Sequence, residues 1–257
     1  MKGIPLKSVF FVFSIQKVYT SDKELPILRS ASNVGSEFAS PGLRMRPVYF
    51  CAVFIASLPG TMAAGSMDVA PSSTTFSHPK TPDVTVVLDI KGTFSPGALR
   101  QMQKEAGDII GTSGIDLGWR LRDDISGGTF NDLVVLTFKG TCVLDPTPAL
   151  HDELGPYAFT RVSNGEVQPF GEVDCDRVAN SIKGAMYGDD YSKSDLLMGR
   201  ALGRVVAHEL VHMLTKSGRH AHEGVYKASL SGKQLISASL PLTALDIEQL
   251  RQEHRTH

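Results

Sequence analysis

Gly203-Arg204-Val205-Val206-Ala207-His208-Glu209-Leu210-Val211-His212-Met213-Leu214 is the stretch on which the reading of this chain turns. It lies in an apolar-periodic run from Leu196 to Leu214. Leu202, Val205, Val206, Leu210, Val211 and Leu214 make that run apolar around most of a helix's circumference, as expected of a buried element. Inside it stands His-Glu-x-x-His. Two histidines four apart share one helix face, with Cβ atoms about 5–6 Å apart, so both imidazoles can reach a single ion. Glu209, one residue on from His208, turns toward the open side of that ion, where it can serve as a general base toward water. The rival reading is a solvated helix that carries two histidines by chance. The apolar surroundings argue against it, because unpartnered polar groups in such a helix are costly.

A zinc enzyme needs three protein ligands and one open position. Downstream of His212 the candidates are His220, His222 and Glu223. Gly218 is able to adopt the left-handed conformation that ends a helix and turns the chain back, and the next residue that can bind is His220. His222 competes, since residues two apart in an extended segment point the same way. Glu223 would point oppositely.

The chain has 257 residues and a formal net charge of −1. Residues 45–65 read as a secretory signal peptide: Met45-Arg46-Pro47, an apolar run of about 11 residues from Val48 to Leu58, then a small-residue region, Pro59 to Gly65. The apolar run is too short to span a membrane, which takes about 20 residues, so no stable membrane anchor is expected after cleavage. A signal peptide begins at the initiator, so translation is expected to start at Met45. Residues 1–44 are then misassigned; the alternative is a real, disordered extension that hides the apolar run from the export machinery. Residues 1–65 carry seven Lys/Arg and three Asp/Glu, so the remainder is acidic, with no basic patch for nucleic acid. Residues 66–82, rich in Ser, Thr and Pro, read as a mobile linker, and residues 83–257 as one catalytic domain. Cys142 and Cys175 outlast the signal, and an even pair in an exported chain reads as a disulfide. A cysteine ligand to the metal is the weaker alternative.

Within residues 83–257 the order is mixed. Val84 to Ile90 is a strand by its β-branched content. Ser95 caps a helix from Pro96 to about Ile110. Strands follow at Ile115 to Leu121 and Leu133 to Phe138. Tyr157-Ala158-Phe159-Thr160-Arg161-Val162 alternates between Gly155-Pro156 and Asn164-Gly165, which suits an edge strand able to pair with a peptide substrate. Phe170 to Val173 adds a possible fifth strand, and 176–188 a helix ended near Gly188. The histidine helix then runs from near Ser194 to about Lys216. Thr243 to Asp246 resembles a capping box before a last amphipathic helix.

Gly203 to Leu214, then His220 and Gly224-Val225-Tyr226-Lys227-Ala228, resembles a group of exported, mostly uncharacterised bacterial proteins of the metzincin-like zinc peptidase (zincin) type. Phe159 to Ser163 and Pro169 to Arg177 also look like that group's edge-strand region, so the likeness runs from Val84 to the end. It implies an α/β (α+β) domain: a twisted mixed sheet with one antiparallel edge strand, a long active-site helix, and a turn beneath one catalytic zinc. Carried over, His208, His212 and His220 match the ligands and Glu209 the base. The chain departs from the better-studied metzincins in three places. The second-to-third histidine spacing is two residues longer, with Thr215 in place of the turn glycine. Val211 stands where glycine is common. Tyr226 stands where the turn has methionine, either as a packing residue or with its hydroxyl near the metal or a tetrahedral intermediate.

The expected activity is therefore peptide-bond hydrolysis by an exported zinc metalloprotease acting on a peptide or protein substrate. Its rivals are a catalytically silent, zinc-stabilised binding module and a zinc hydrolase acting on a non-peptide amide. Glu209 is not a ligand and has no structural need to be there, which speaks against the silent module. No pro-segment with an inhibitory cysteine is visible, and no built-in latency is expected. N-terminal sequencing of exported protein should place the first residue between Ala64 and Ser66; material beginning at residue 1 would refute the signal-peptide assignment.

Overall fold

Val-Thr-Val-Val-Leu-Asp-Ile, the strand β2 (Val84–Ile90), is buried along nearly its whole length. It is sandwiched between parallel neighbours, β4 (Leu117–Leu121) and β5 (Asp132–Lys139), and a strand covered in this way reads as a continuous apolar run. The computed structural model describes residues 13–17, 81–125, 127–147 and 155–255. These residues all belong to one unit, formed by residues 1–21 and 79–257. The proposed signal peptide, nearly all of the linker, and the N-terminal extension other than residues 13–17 lie outside the described residues.

Beyond β5 come β8 (Glu166–Asp174), parallel to it, and β7 (Pro156–Ser163), antiparallel to β8. The β7–β8 turn is Asn164-Gly165, both at positive φ (54° and 84°). That geometry favours these two residues and suits a tight hairpin. β8 starts earlier than Phe170 because its first half pairs only with β7 and is largely exposed, leaving no apolar pattern to read. The seven-stranded sheet is completed by β1 (Phe13–Lys17) and β9 (Ser229–Leu230), in the order β4-β2-β5-β8-β7-β1-β9. β7 alone runs against the others. It is not the outermost strand, as the sequence suggests, because β1 lies against its far side. A separate two-stranded sheet pairs β3 (Thr93–Phe94) with β6 (Thr141–Cys142).

Helix α1 (Pro96–Gly111) starts where expected, with the Ser95 hydroxyl accepting from the Gly97 N–H at 3.2 Å. Helix α2 is shorter than the sequence suggests, Cys175–Lys183, and a 3-10 turn, Gly188–Lys193, leads into α3 (Ser194–Thr215). The short α4 (Gly232–Ile236) and α5 (Ala244–Arg255) follow. Thr243 and Asp246 cap α5 reciprocally. Cys142 and Cys175 form a disulfide that ties β6 to the start of α2.

α3 is buried almost throughout from Leu197 to Met213. It crosses α1 at Gly199 and Gly203, where a Cβ on Gly203 would sit 2.6 Å from Glu105 Cβ and 2.8 Å from the Met102 carbonyl oxygen. Missing side chains thus let the two helix backbones meet. Buried Arg204 locks the arrangement: its Nε donates to Glu105 on α1 at 2.9 Å, and its Nη1 to the Gln234 carbonyl on α4 at 2.7 Å. Gly203→Ala overpacks this crossing and should lower stability by about 1–3 kcal/mol, read as a lower urea midpoint with an unchanged m-value; an unchanged midpoint would show that the helices have slack.

Candidate metal centre

The long α3 carries His208 and His212 on one face, and both are fully buried. Their Nε2 atoms lie 3.1 Å apart. The helix stops at Thr215, whose hydroxyl donates back to the Val211 carbonyl at 2.7 Å. Lys216 then takes the left-handed conformation (φ 47°) that was expected of Gly218. Gly218 is not at positive φ, because the chain has already reversed two residues earlier. The reversal brings the Ser217 N–H to the His212 carbonyl at 3.3 Å and the Ser217 carbonyl to His212 Nδ1 at 2.7 Å.

From there the chain delivers His220, with Nε2 3.2 Å from His212 Nε2. The three histidines offer ligand atoms within 4.8 Å of one another. His222 and Glu223 are exposed and stand outside this cluster. The rings of His208, His212 and His220 lie 4.8–5.1 Å apart between centroids.

The outward-facing ring nitrogens fix the tautomers. His208 Nδ1 donates to the Val225 carbonyl at 3.0 Å and His212 Nδ1 to that of Ser217, so each Nε2 presents a lone pair to the shared centre. Gly224 makes the first of these bonds possible. It has φ 75°, and a Cβ there would lie 2.6 Å from the Pro241 carbonyl oxygen. That close approach tucks Val225 beneath the helix, with the Val225 N–H bonded to the same Pro241 oxygen at 3.0 Å.

Tyr226 forms the floor. It is buried, its ring lies 4.8–5.8 Å from all three imidazoles, and its hydroxyl is 3.0 Å from His212 Nδ1. That places the hydroxyl behind His212, on the side of the Ser217 carbonyl, to which it donates at 3.4 Å. Tyr226 therefore supports a histidine's orientation, a role between the two that the sequence leaves open.

Glu209 is completely buried. Thr160, on β7, donates from its hydroxyl to Glu209 Oε2 at 2.7 Å, while Glu209 Oε1 is buried without a partner. Burial pushes the Glu209 carboxyl up to about 8, against the Thr160 bond that lowers it. Burial also depresses all three histidines: His208 well below its ordinary value, His212 to about 4, and His220 downward. Near neutral pH all three imidazoles are thus uncharged, the form in which they bind metals.

These groups fit a cation. The inward lone pairs of His208 and His212, 3.1 Å apart, repel, and a positive ion held between the imidazoles relieves this. Tetrahedral zinc at about 2.0–2.1 Å from each nitrogen requires nitrogens roughly 3.3–3.4 Å apart, close to the 3.1 and 3.2 Å of the two pairs that share His212, while the three together lie within 4.8 Å. The sequence pointed to the histidines and Glu209. It did not reveal Thr160 as the group that holds Glu209, nor the carbonyls of Ser217 and Val225, since backbone groups leave no sequence signal. No known family model matches the chain, and no curated protein matches it. His220→Ala should lose most bound metal while His222→Ala keeps it, read by metal analysis. At pH 6, zinc binding to the unaltered chain should release about one proton more per ion than binding to Glu209→Gln, read by calorimetry in buffers of different ionisation enthalpy. Equal release would mean that Glu209 is already ionised without metal.

Proposed function

We propose that this chain is an exported zinc-dependent endopeptidase with a zincin-like, metzincin-type domain. The observation that carries the reading is the convergence of three imidazole Nε2 atoms, with the residue after His208 a buried carboxylate held by its own hydroxyl donor. His208, His212 and His220 would hold the ion. Bound there, zinc would supply Lewis acidity, polarising a substrate carbonyl and bringing the pKa of water toward 7.

The chain's own residues do the rest. Glu209 takes a proton from the attacking water and returns it to the leaving amine, a general acid–base role. Thr160 fixes Oε2 and so directs Oε1 as the proton acceptor. The Ser217 and Val225 carbonyls keep the imidazoles turned inward, and Tyr226 backs His212. An amide substrate that is a peptide is favoured over other amides by what borders the site: Thr160 belongs to β7, whose outer main chain pairs with an extended segment, β1, and would pair in the same way with an extended peptide in its place.

Glu209→Gln keeps the shape and all three histidines but cannot accept a proton. It should bind zinc stoichiometrically and lose turnover by at least about 100-fold, read by metal analysis beside an unbiased peptide-library digest. An unchanged hydrolytic rate would refute the mechanism. Stoichiometric zinc with no cleavage by the unaltered chain would favour a silent binding module.

A further inference from the structure

β1 lies in a slot one strand wide. On one side it pairs antiparallel with β7, Phe13 opposite Thr160, Ser14 opposite Phe159 and Gln16 opposite Pro156. On the other it pairs parallel with β9, Gln16 opposite Ser229 and Lys17 opposite Leu230. Both walls belong to the metal centre. Thr160 on β7 holds Glu209, and β9 begins three residues after Tyr226, which packs on all three histidines.

The walls are also held independently of β1. The buried Tyr157 hydroxyl, from β7, meets Ser181 Oγ on α2 at 2.5 Å and donates to the Leu230 carbonyl on β9 at 3.2 Å. Just after β9, Gly232 approaches the Ser181 carbonyl so closely that a Cβ would collide with it. Strands pair about 4.7–4.9 Å apart, so walls two spacings apart leave room for a single extended chain. With β1 in place, Glu209 has no exposed surface.

We infer that the slot between β7 and β9 binds one extended peptide through its main chain, and that in the full-length chain residues 13–17 occupy it and exclude any other peptide. The peptidase reading enters only in taking the excluded peptide to be the substrate; the occupancy stands without it. The recognition is strand addition, in which main-chain hydrogen bonds on both sides supply the affinity. The tethered segment competes as an intramolecular ligand, at an effective concentration that an added peptide must exceed. A chain that begins after residue 17, whether through translation from Met45 or through proteolysis, would lack this competitor and have the site open. Latency would then come from a backbone strand, with no cysteine required.

Gln16 is paired on both sides, and proline there removes an N–H and disrupts the ladder. The test compares the zinc-loaded full-length chain with full-length Gln16→Pro. It reads amide hydrogen exchange on β7 and β9, and binding of a fluorescent synthetic peptide with the sequence of residues 12–19. Cleavage of a peptide library is followed in parallel. The variant should exchange faster, bind the peptide at least tenfold more tightly and cleave at least tenfold faster, with zinc content unchanged. Equal exchange and equal binding would overturn the inference. So would faster exchange with no gain in peptide binding. Tighter binding with no cleavage by either chain would support the slot while refuting the peptidase reading. If Gln16→Pro loses its zinc, a full-length chain nicked after folding at a protease site inserted behind Gly65 replaces it, and its peptide binding must rise on nicking.

Discussion

Polar groups carried on a helix that has no solvent face are the constraint around which the molecule is arranged. α3 passes under the sheet and against α1 with nearly every residue covered, yet it carries two imidazoles and a carboxylate into that interior. Each must be satisfied within the protein or by something bound. Hydrogen bonds account for one side of each group: carbonyls of Ser217 and Val225 for the imidazoles, the Thr160 hydroxyl for the carboxylate. What they leave over is a set of imidazole nitrogens that share one spot, and a carboxylate oxygen with no partner. The close crossing at Gly199 and Gly203 and the Arg204 bonds to α1 and α4 keep that spot fixed.

How much of this was legible depended on whether a feature was written in side chains or in backbone. The histidine helix, α1 with its Ser95 cap and the capping box at Thr243 rest on residue types at fixed spacing, β2 on β-branched content and the disulfide on an even cysteine count, and each stands near where its pattern puts it. The left-handed residue was assigned to Gly218 because glycine has no Cβ to clash, but Lys216 accepts the conformation where the Thr215 hydroxyl and the Ser217 carbonyl have already ended the helix. The polar first half of β8 lacked alternation, since only β7 needs it. β1 was invisible for a different reason. Its partners are main-chain groups 140 or more residues away, and nothing local marks a five-residue strand that completes a distant sheet.

Thr160 joins the two halves of the problem. Its side chain reaches inward to Glu209 while its main chain faces the slot, so whatever lies in the slot lies beside the residue that aims the carboxylate. Tyr157, three residues earlier, sets the far wall through Leu230. A single strand thus positions the candidate base and forms one wall of the slot that β1 fills. Alternation along β7 makes this possible, because residues on opposite faces of one strand can serve different layers.

The opposed shifts at the centre have one cause and one remedy. Burial disfavours charge, so it lowers the histidines and raises Glu209. For His212, depressed to about 4, the folded state prefers the neutral ring. The stability it contributes is full above about 6.5 and is lost as pH falls toward 4. For Glu209, raised to about 8, the folded state prefers the protonated acid. Its contribution is full below about 4.5 and is lost as pH rises toward 8. Between these values the metal-free fold gains from one group only by losing at the other. A bound dication ends the conflict, since it favours neutral imidazoles and an ionised carboxylate together. An ion held by the three histidines would in this sense be part of the core, since it would remove the cost that burial places on these groups.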